Sequence, residues 1–273
     1  MYTRILSIMI VLMLFAGCLG QGNTLSSQNE TGPQVSKNIT TDTNITVNQV
    51  PDSNASTGTA TIGQNLTNQS PATAKNKGVL MLGRSVTRNW MDYLGAEYVC
   101  DDPDCNSATH RANLSGYQLI NVELSSPPDI ADSAISAVDT YGNEADTVFF
   151  KLCFVDFESD ESGSNLAANE GYVQKVYDEI VTKRHKKLIM GNALPKVKGE
   201  TDSALVANHK AYNAWLNNFA STHSDIKVLD LYGTVSESDG SLKSSYAVDS
   251  EDSHLNSAAY AQITPKFLSL LES

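Results

Sequence analysis

The stretch Gly78-Val79-Leu80-Met81-Leu82-Gly83-Arg84-Ser85 narrows the possible folds more than any other part of the chain. Its four consecutive apolar residues, bounded by glycines, read as a short buried strand. Gly83 marks a tight turn. A helix follows from just after Ser85, with Trp90 and Leu94 four residues apart on one face. A serine at such a strand-to-helix junction faces the crevice above the carboxyl edge of a parallel sheet, where ligands of open α/β sheets bind.

The same alternation recurs downstream. Residues 117–124, 146–155, 187–190 and 226–231 read as strands. The third strand, with Val148-Phe149-Phe150-Lys151-Leu152-Cys153-Phe154-Val155, is nearly all apolar, the pattern of a central strand covered on both faces. Helices are expected at about 129–141, 165–184, 203–221 and 257–271. The second of these has a buried stripe of Tyr172, Val176, Ile180 and Val181, and the third one of Leu205, Ala211, Trp215 and Phe219. Residues 97–115 read as irregular. Strands alternating with helices imply right-handed crossovers and a parallel sheet. The expected fold is therefore α/β, a three-layer α/β/α sandwich on five parallel strands.

The first 76 residues have a different character. Residues 1–18 have a short apolar run behind Arg4 and end Leu14-Phe15-Ala16-Gly17-Cys18. That pattern fits an export signal with a lipobox, in which Cys18 becomes the lipidated terminus and the protein stays on the outer face of the cytoplasmic membrane. Residues 19–76 are rich in Ser, Thr, Asn and Gln and poor in apolar groups, so they read as a disordered stalk. Asn-x-Ser/Thr acceptors at Asn29, Asn38, Asn44, Asn54, Asn65 and Asn68 suggest that it is glycosylated, and a further one stands at Asn113.

Residues 77–273 are left as one folded domain. They contain 28 acidic and 16 basic residues, and so carry the whole formal charge of −12. Such a balance argues against a nucleic-acid partner, which needs a basic face. In an exported domain, Cys100 and Cys105 are expected to pair across the acidic loop Asp101-Asp102-Pro103-Asp104. Cys153, within an apolar strand, reads as a buried small hydrophobe. His110, His185, His209 and His223 have no metal-ligand spacing and read as surface or loop residues, so neither a metal nor a cofactor is expected.

Two positions at opposite ends of the domain can supply chemistry. Ser85 needs a base, because a hydroxyl at its ordinary pKa is a poor nucleophile. His254 stands just before the last helix, in Asp249-Ser250-Glu251-Asp252-Ser253-His254-Leu255-Asn256. Glu251, three residues ahead, can turn a carboxylate toward the imidazole Nδ1 while Nε2 faces the serine. Asp249 and Asp252 compete for that role.

With these residues the chain resembles the SGNH (GDSL-type) hydrolases. Gly83-Arg84-Ser85 is similar to their first block, Gly-Asp-Ser. Glu251-Asp252-Ser253-His254-Leu255-Asn256 is similar to their last, Asp-x-x-His followed by Leu-Asn. The resemblance implies a flavodoxin-like sheet and ester hydrolysis through an acyl-serine. It also implies an oxyanion hole built from the serine amide, a glycine and an asparagine. Two blocks depart from the pattern. Where Gly-x-Asn-Asp is expected the chain has Cys153-Phe154-Val155-Asp156, and Val155 has no donor to offer. Ser125 or Ser126 occupies the turn expected to hold the glycine. The resulting expectation is an exported, membrane-tethered esterase with Ser85, His254 and Glu251 as its catalytic residues, acting on esters such as O-acetyl groups of surface polysaccharide. The alternative is a non-catalytic surface module on the same fold that binds glycan or a partner.

Overall fold

A computed structural model describes residues 77–105 and 107–273 of the 273-residue chain. The expectations for the export signal, Cys18 and the stalk lie outside these residues.

The elements alternate as the patterning implies. Strand β1 (Lys77–Gly83) leads into helix α1 (Ser85–Tyr93). A hairpin of β2 (Glu97–Cys100) and β3 (Ala108–Leu114) follows, then β4 (Tyr117–Glu123) and α2 (Ile130–Tyr141). Next come β5 (Thr147–Lys151) and α3 (Ser164–Tyr177), which runs on into a π-helical turn at Asp178–Lys183. The chain continues through β6 (Lys187–Gly191), α4 (Ser203–Ser221), β7 (Ile226–Leu229), the single turn α5 (Tyr232–Val235) and the last helix, α6 (Ser257–Glu272).

The sheet has seven strands in the order β2-β3-β4-β1-β5-β6-β7, not the five expected. Strands β4, β1, β5, β6 and β7 are mutually parallel, with the order reversing at β1, as in a flavodoxin-like sheet. The two extra strands come from the segment read as irregular. They pair antiparallel with each other and with β4. Edge strands escape a pattern search because they are covered on one side at most. Three of the four β2 residues are exposed, and β3 has a single buried residue, Thr109. The Cys100–Cys105 disulfide closes the hairpin that links them.

Alternating side chains along β1 build the two sides of the sandwich. Leu80 and Leu82 join Val148, Phe150, Leu188 and Met190 beneath α2, α3 and α4. Val79 and Met81 join Phe149 and Ile189 beneath α1 and α6. On this second side Trp90 packs edge-on against Phe149 and Phe267, with centroids at 5.7 and 5.1 Å. Its indole Nε1 donates to Thr264 Oγ1 at 2.9 Å, so the ring is both packed and satisfied. Tyr260 Oη donates to the Val86 carbonyl at 2.9 Å. Helix α6 is thereby fastened to the first turn of α1.

The buried face of α4 differs from the expected stripe. Leu205, His209, Tyr212 and Leu216 are buried, while Ala211 is exposed and Trp215 and Phe219 flank the core. His209, read as a surface residue, is fully buried against Phe157 and Tyr232. Neither of its ring nitrogens has a hydrogen-bond partner among the described residues. Burial lowers its pKa to about 4, helped by the positive charge of Lys196, so the ring is neutral inside.

Candidate active site

Strand β1 delivers Ser85 to the carboxyl edge of the sheet. Gly83 is needed there for a close approach: a Cβ at this position would lie 2.0 Å from Thr87 Oγ1. Without it, the first turn of α1 folds back directly over the strand end. Arg84, extended at φ −101° and ψ −155°, precedes the helix, and Ser85 is its first residue. The opening amides of a helix have no partner within it and carry partial positive charge. Arg84, at the N-cap, makes no side-chain capping hydrogen bond.

His254 is held from several directions. Its carbonyl accepts from Val248 N at 2.9 Å, and Ala247 bridges Leu255. Buried Ser253 accepts from Val197 N at 2.9 Å and donates to Glu200 at 3.0 Å. Asn256 caps α6 by accepting from the amides of Ala258 and Ala259. Its Nδ2 also donates to the carbonyls of Ser245 and Ala247. The Phe154 ring meets the imidazole edge-on at 5.1 Å.

These restraints bring the imidazole to the serine. His254 Nε2 stands 2.8 Å from Ser85 Oγ, across 169 residues of chain. Its Nδ1 stands 2.6 Å from Asp252 Oδ1. The carboxylate facing Nδ1 is therefore that of Asp252 and not of Glu251, the acid named first from spacing. The cause is local. Asp252 Oδ1 also accepts the backbone N–H of His254 at 2.9 Å, closing a turn of the kind short Asx side chains make with the residue two on. Glu251 is exposed, and its amide donates to Asp249 Oδ1 at 2.8 Å. The amide and imidazole of His254, in that order, hold the Asp252 carboxyl below its ordinary pKa.

A second group of charges lies beside this pair. Arg84 Nη1 donates to Ser126 Oγ at 3.0 Å, in the turn after β4, and Nη2 pairs with Asp156, beyond the end of β5. Asp156 is buried, and its other oxygen accepts from Cys153 N at 2.6 Å. Burial pushes the Asp156 carboxyl up, against the Cys153 amide and Arg84, which favour the ionised form. Lys151, fully enclosed, is pushed down by burial, and its Nζ reaches only the Leu152 carbonyl, at 3.4 Å, among its described hydrogen bonds. Two traces of this group are visible in the sequence: Asp156 at the aspartate position of the Gly-x-Asn-Asp block, and a lysine inside an otherwise apolar central strand. The pairing of Arg84 with Asp156 left none. Val155 is 50% exposed and turns an apolar side chain to solvent.

Among the described residues no group of three or more His, Cys, Asp or Glu side chains is placed to hold a metal ion, and no helix is long and apolar enough to cross a membrane.

No family model matches the chain, and no curated protein matches it by sequence. Solved structures do. A GDSL-like lipase from Bacteroides thetaiotaomicron superposes with a TM-score of 0.54 at 15% identity, covering 72% of this chain and 89% of that one. The fold is that of the SGNH hydrolases. A candidate acylhydrolase from Bacteroides fragilis shares it at a TM-score of 0.50 and 18% identity, covering 72% of this chain and 86% of the other. Within the SGNH fold, Ser85 and His254 stand on the carboxyl edge of the parallel strands, where sites of open α/β sheets lie.

Proposed function

We propose that the protein is a serine ester hydrolase. The observation that carries this reading is the 2.8 Å contact between His254 Nε2 and Ser85 Oγ, with Asp252 on the opposite ring nitrogen. The shared fold with a GDSL-like lipase and a candidate acylhydrolase supports it.

Ser85 Oγ attacks the ester carbonyl carbon while His254 Nε2 takes its proton. Asp252 holds the tautomer in which Nδ1 carries the other hydrogen and steadies the imidazolium that forms. The tetrahedral intermediate collapses, and His254 returns the proton to the departing alcohol. Water, deprotonated by the same nitrogen, then attacks the acyl-serine; the carboxylic acid leaves as the acyl–Oγ bond breaks and His254 returns the proton to Ser85 Oγ. The amides that open α1 carry partial positive charge beside Ser85, which suits a developing oxyanion there.

The location and substrate extend this reading. The lipobox at Cys18 and the sequon-rich residues 19–76 support an exported protein tethered at the outer face of the cytoplasmic membrane. In that place the available esters include O-acetyl groups of surface or extracellular polysaccharide.

The test uses the full chain. Wild type should hydrolyse aryl acetates and take up a fluorophosphonate probe on Ser85, and Ser85→Ala should do neither. Equal hydrolysis by Ser85→Ala would overturn the proposal. One observation favours a non-catalytic glycan-binding module instead: the exposed Val155 side chain has no donor where the resemblance to SGNH hydrolases implies an asparagine. That reading predicts an unlabelled Ser85, with glycan binding undisturbed by Ser85→Ala.

A further inference from the structure

We propose that the guanidinium of Arg84 is an oxyanion donor of this site, taking over the task that an asparagine at position 155 would perform. The inference rests on the esterase reading above.

Three observations converge on it. First, Val155 leaves the site one donor short, since its exposed side chain is a hydrocarbon. Losing one such donor costs on the order of a hundredfold to a thousandfold in rate, so a working site needs a substitute. Second, Arg84 immediately precedes Ser85, and its side chain is folded inward onto Ser126 and Asp156 and not extended into solvent. Only 14% of it is exposed. Third, its two ends are tied to the two turns where the resemblance to the SGNH hydrolases places the other oxyanion groups. Nη1 bonds Ser126 after β4, and Nη2 bonds Asp156, the residue next to Val155. The cation thus bridges the turns that flank β1 at the sheet's carboxyl edge.

The chemistry of the group suits the task. A guanidinium has five N–H donors in a fixed plane, and these two contacts leave others available. Because it cannot lose its proton at working pH, it keeps its charge as the carbonyl oxygen becomes an alkoxide. Asp156 is itself fixed by the Cys153 amide, so it anchors the fork and restricts its motion. Donors aimed in advance at developing charge stabilise the transition state more than the ground state, and their loss appears in kcat and not in KM.

The experiment compares wild type, Arg84→Lys, Arg84→Met and Ser85→Ala on an aryl acetate. Rates are expressed per serine titrated with the fluorophosphonate, so unfolded molecules do not count. Arg84→Met strands a buried carboxylate, so Arg84→Met with Asp156→Asn is measured beside it. Expected is a fall in kcat on the order of a hundredfold or more in both Met variants, with KM little moved and Arg84→Lys in between. If kcat per titrated serine in the Met variants stays within about threefold of wild type while Ser85→Ala is inactive, Arg84 has only a structural role and this inference falls, leaving the esterase reading intact. If Ser85→Ala keeps wild-type activity, both fall.

Discussion

Asp252 holds His254 twice with a single oxygen: Oδ1 accepts the backbone amide at 2.9 Å and faces Nδ1 of the ring at 2.6 Å. One carboxylate thus sets both the turn and the imidazole it presents. Asp252→Asn keeps the turn but can stabilise the wrong tautomer. It should lower kcat by about a hundredfold to ten-thousandfold. Glu251→Gln should leave kcat unchanged, since that side chain is exposed and its contact is made by its backbone. Steady-state kinetics on an aryl acetate checks both, and equal losses would contradict the assignment of Asp252.

Gly83→Ala should injure activity more than folding. Its Cβ would meet Thr87 Oγ1 at 2.0 Å and Thr87 Cβ at 2.9 Å, so the first turn of α1, with Ser85, must shift outward. A displacement of about 1 Å at a reacting atom costs about a hundredfold in rate. Adding Thr87→Ala removes the nearer clash and should restore part of kcat. Circular dichroism should show the helices retained in both variants.

His209 makes stability depend on pH. The folded protein holds the ring neutral down to about pH 4, whereas the unfolded chain protonates it near 6.5. Between those values the unfolded state binds a proton that the folded state excludes. Stability is therefore full above pH 6.5 and falls as pH drops toward 4, by about 3 kcal/mol for this one group. Urea titrations across that window should show the slope, and His209→Phe should flatten it whatever it does to absolute stability.

Reducing the Cys100–Cys105 bond, or replacing both with serine, removes a five-residue closure. On chain entropy alone the loss is about 2 kcal/mol. Because β2 pairs only with β3, hydrogen exchange should quicken first in residues 97–114, with β1 and β5 still protected. Uniform loss of protection across the sheet would contradict this.

The parts legible in the sequence were those in which local patterning and burial agree. Val79 to Leu82 is apolar because both sides of β1 are covered, and α4 spans the residues its composition predicts. The stripe along α4 was misjudged because a histidine interrupts it. Leu205, His209, Tyr212 and Leu216 have helical spacing, but a polar ring at the second position sent the reading to Ala211, Trp215 and Phe219. Trp215 and Phe219 do lie together, stacked at 5.2 Å, but on the flank of the core. The hairpin of β2 and β3 went unread because its strands are polar and lie at the edge. At the site, Ser85 and His254 stand out through the segments around them, since one opens a helix and the other lies just ahead of one. The choice among Asp249, Glu251 and Asp252 was set by a turn closed through one backbone amide, which spacing alone does not encode. The Arg84–Asp156 pair joins residues 72 apart and leaves no periodic trace.

The fastening of α6 onto α1 has a consequence in time. Tyr260 and Thr264 reach back to Val86 and Trp90, and the loop they secure carries the only described side chain that meets Ser85 Oγ in a hydrogen bond. A chain synthesised as far as β7 already has its serine but lacks His254, the base of the proposed mechanism, and the helix that follows His254 brings the contacts to α1. Under the proposed mechanism, competence requires the segment that carries His254, the last part of the site to be made. A molecule cut before His254 is expected to be inert, so hydrolysis would report that both ends of the domain have come together.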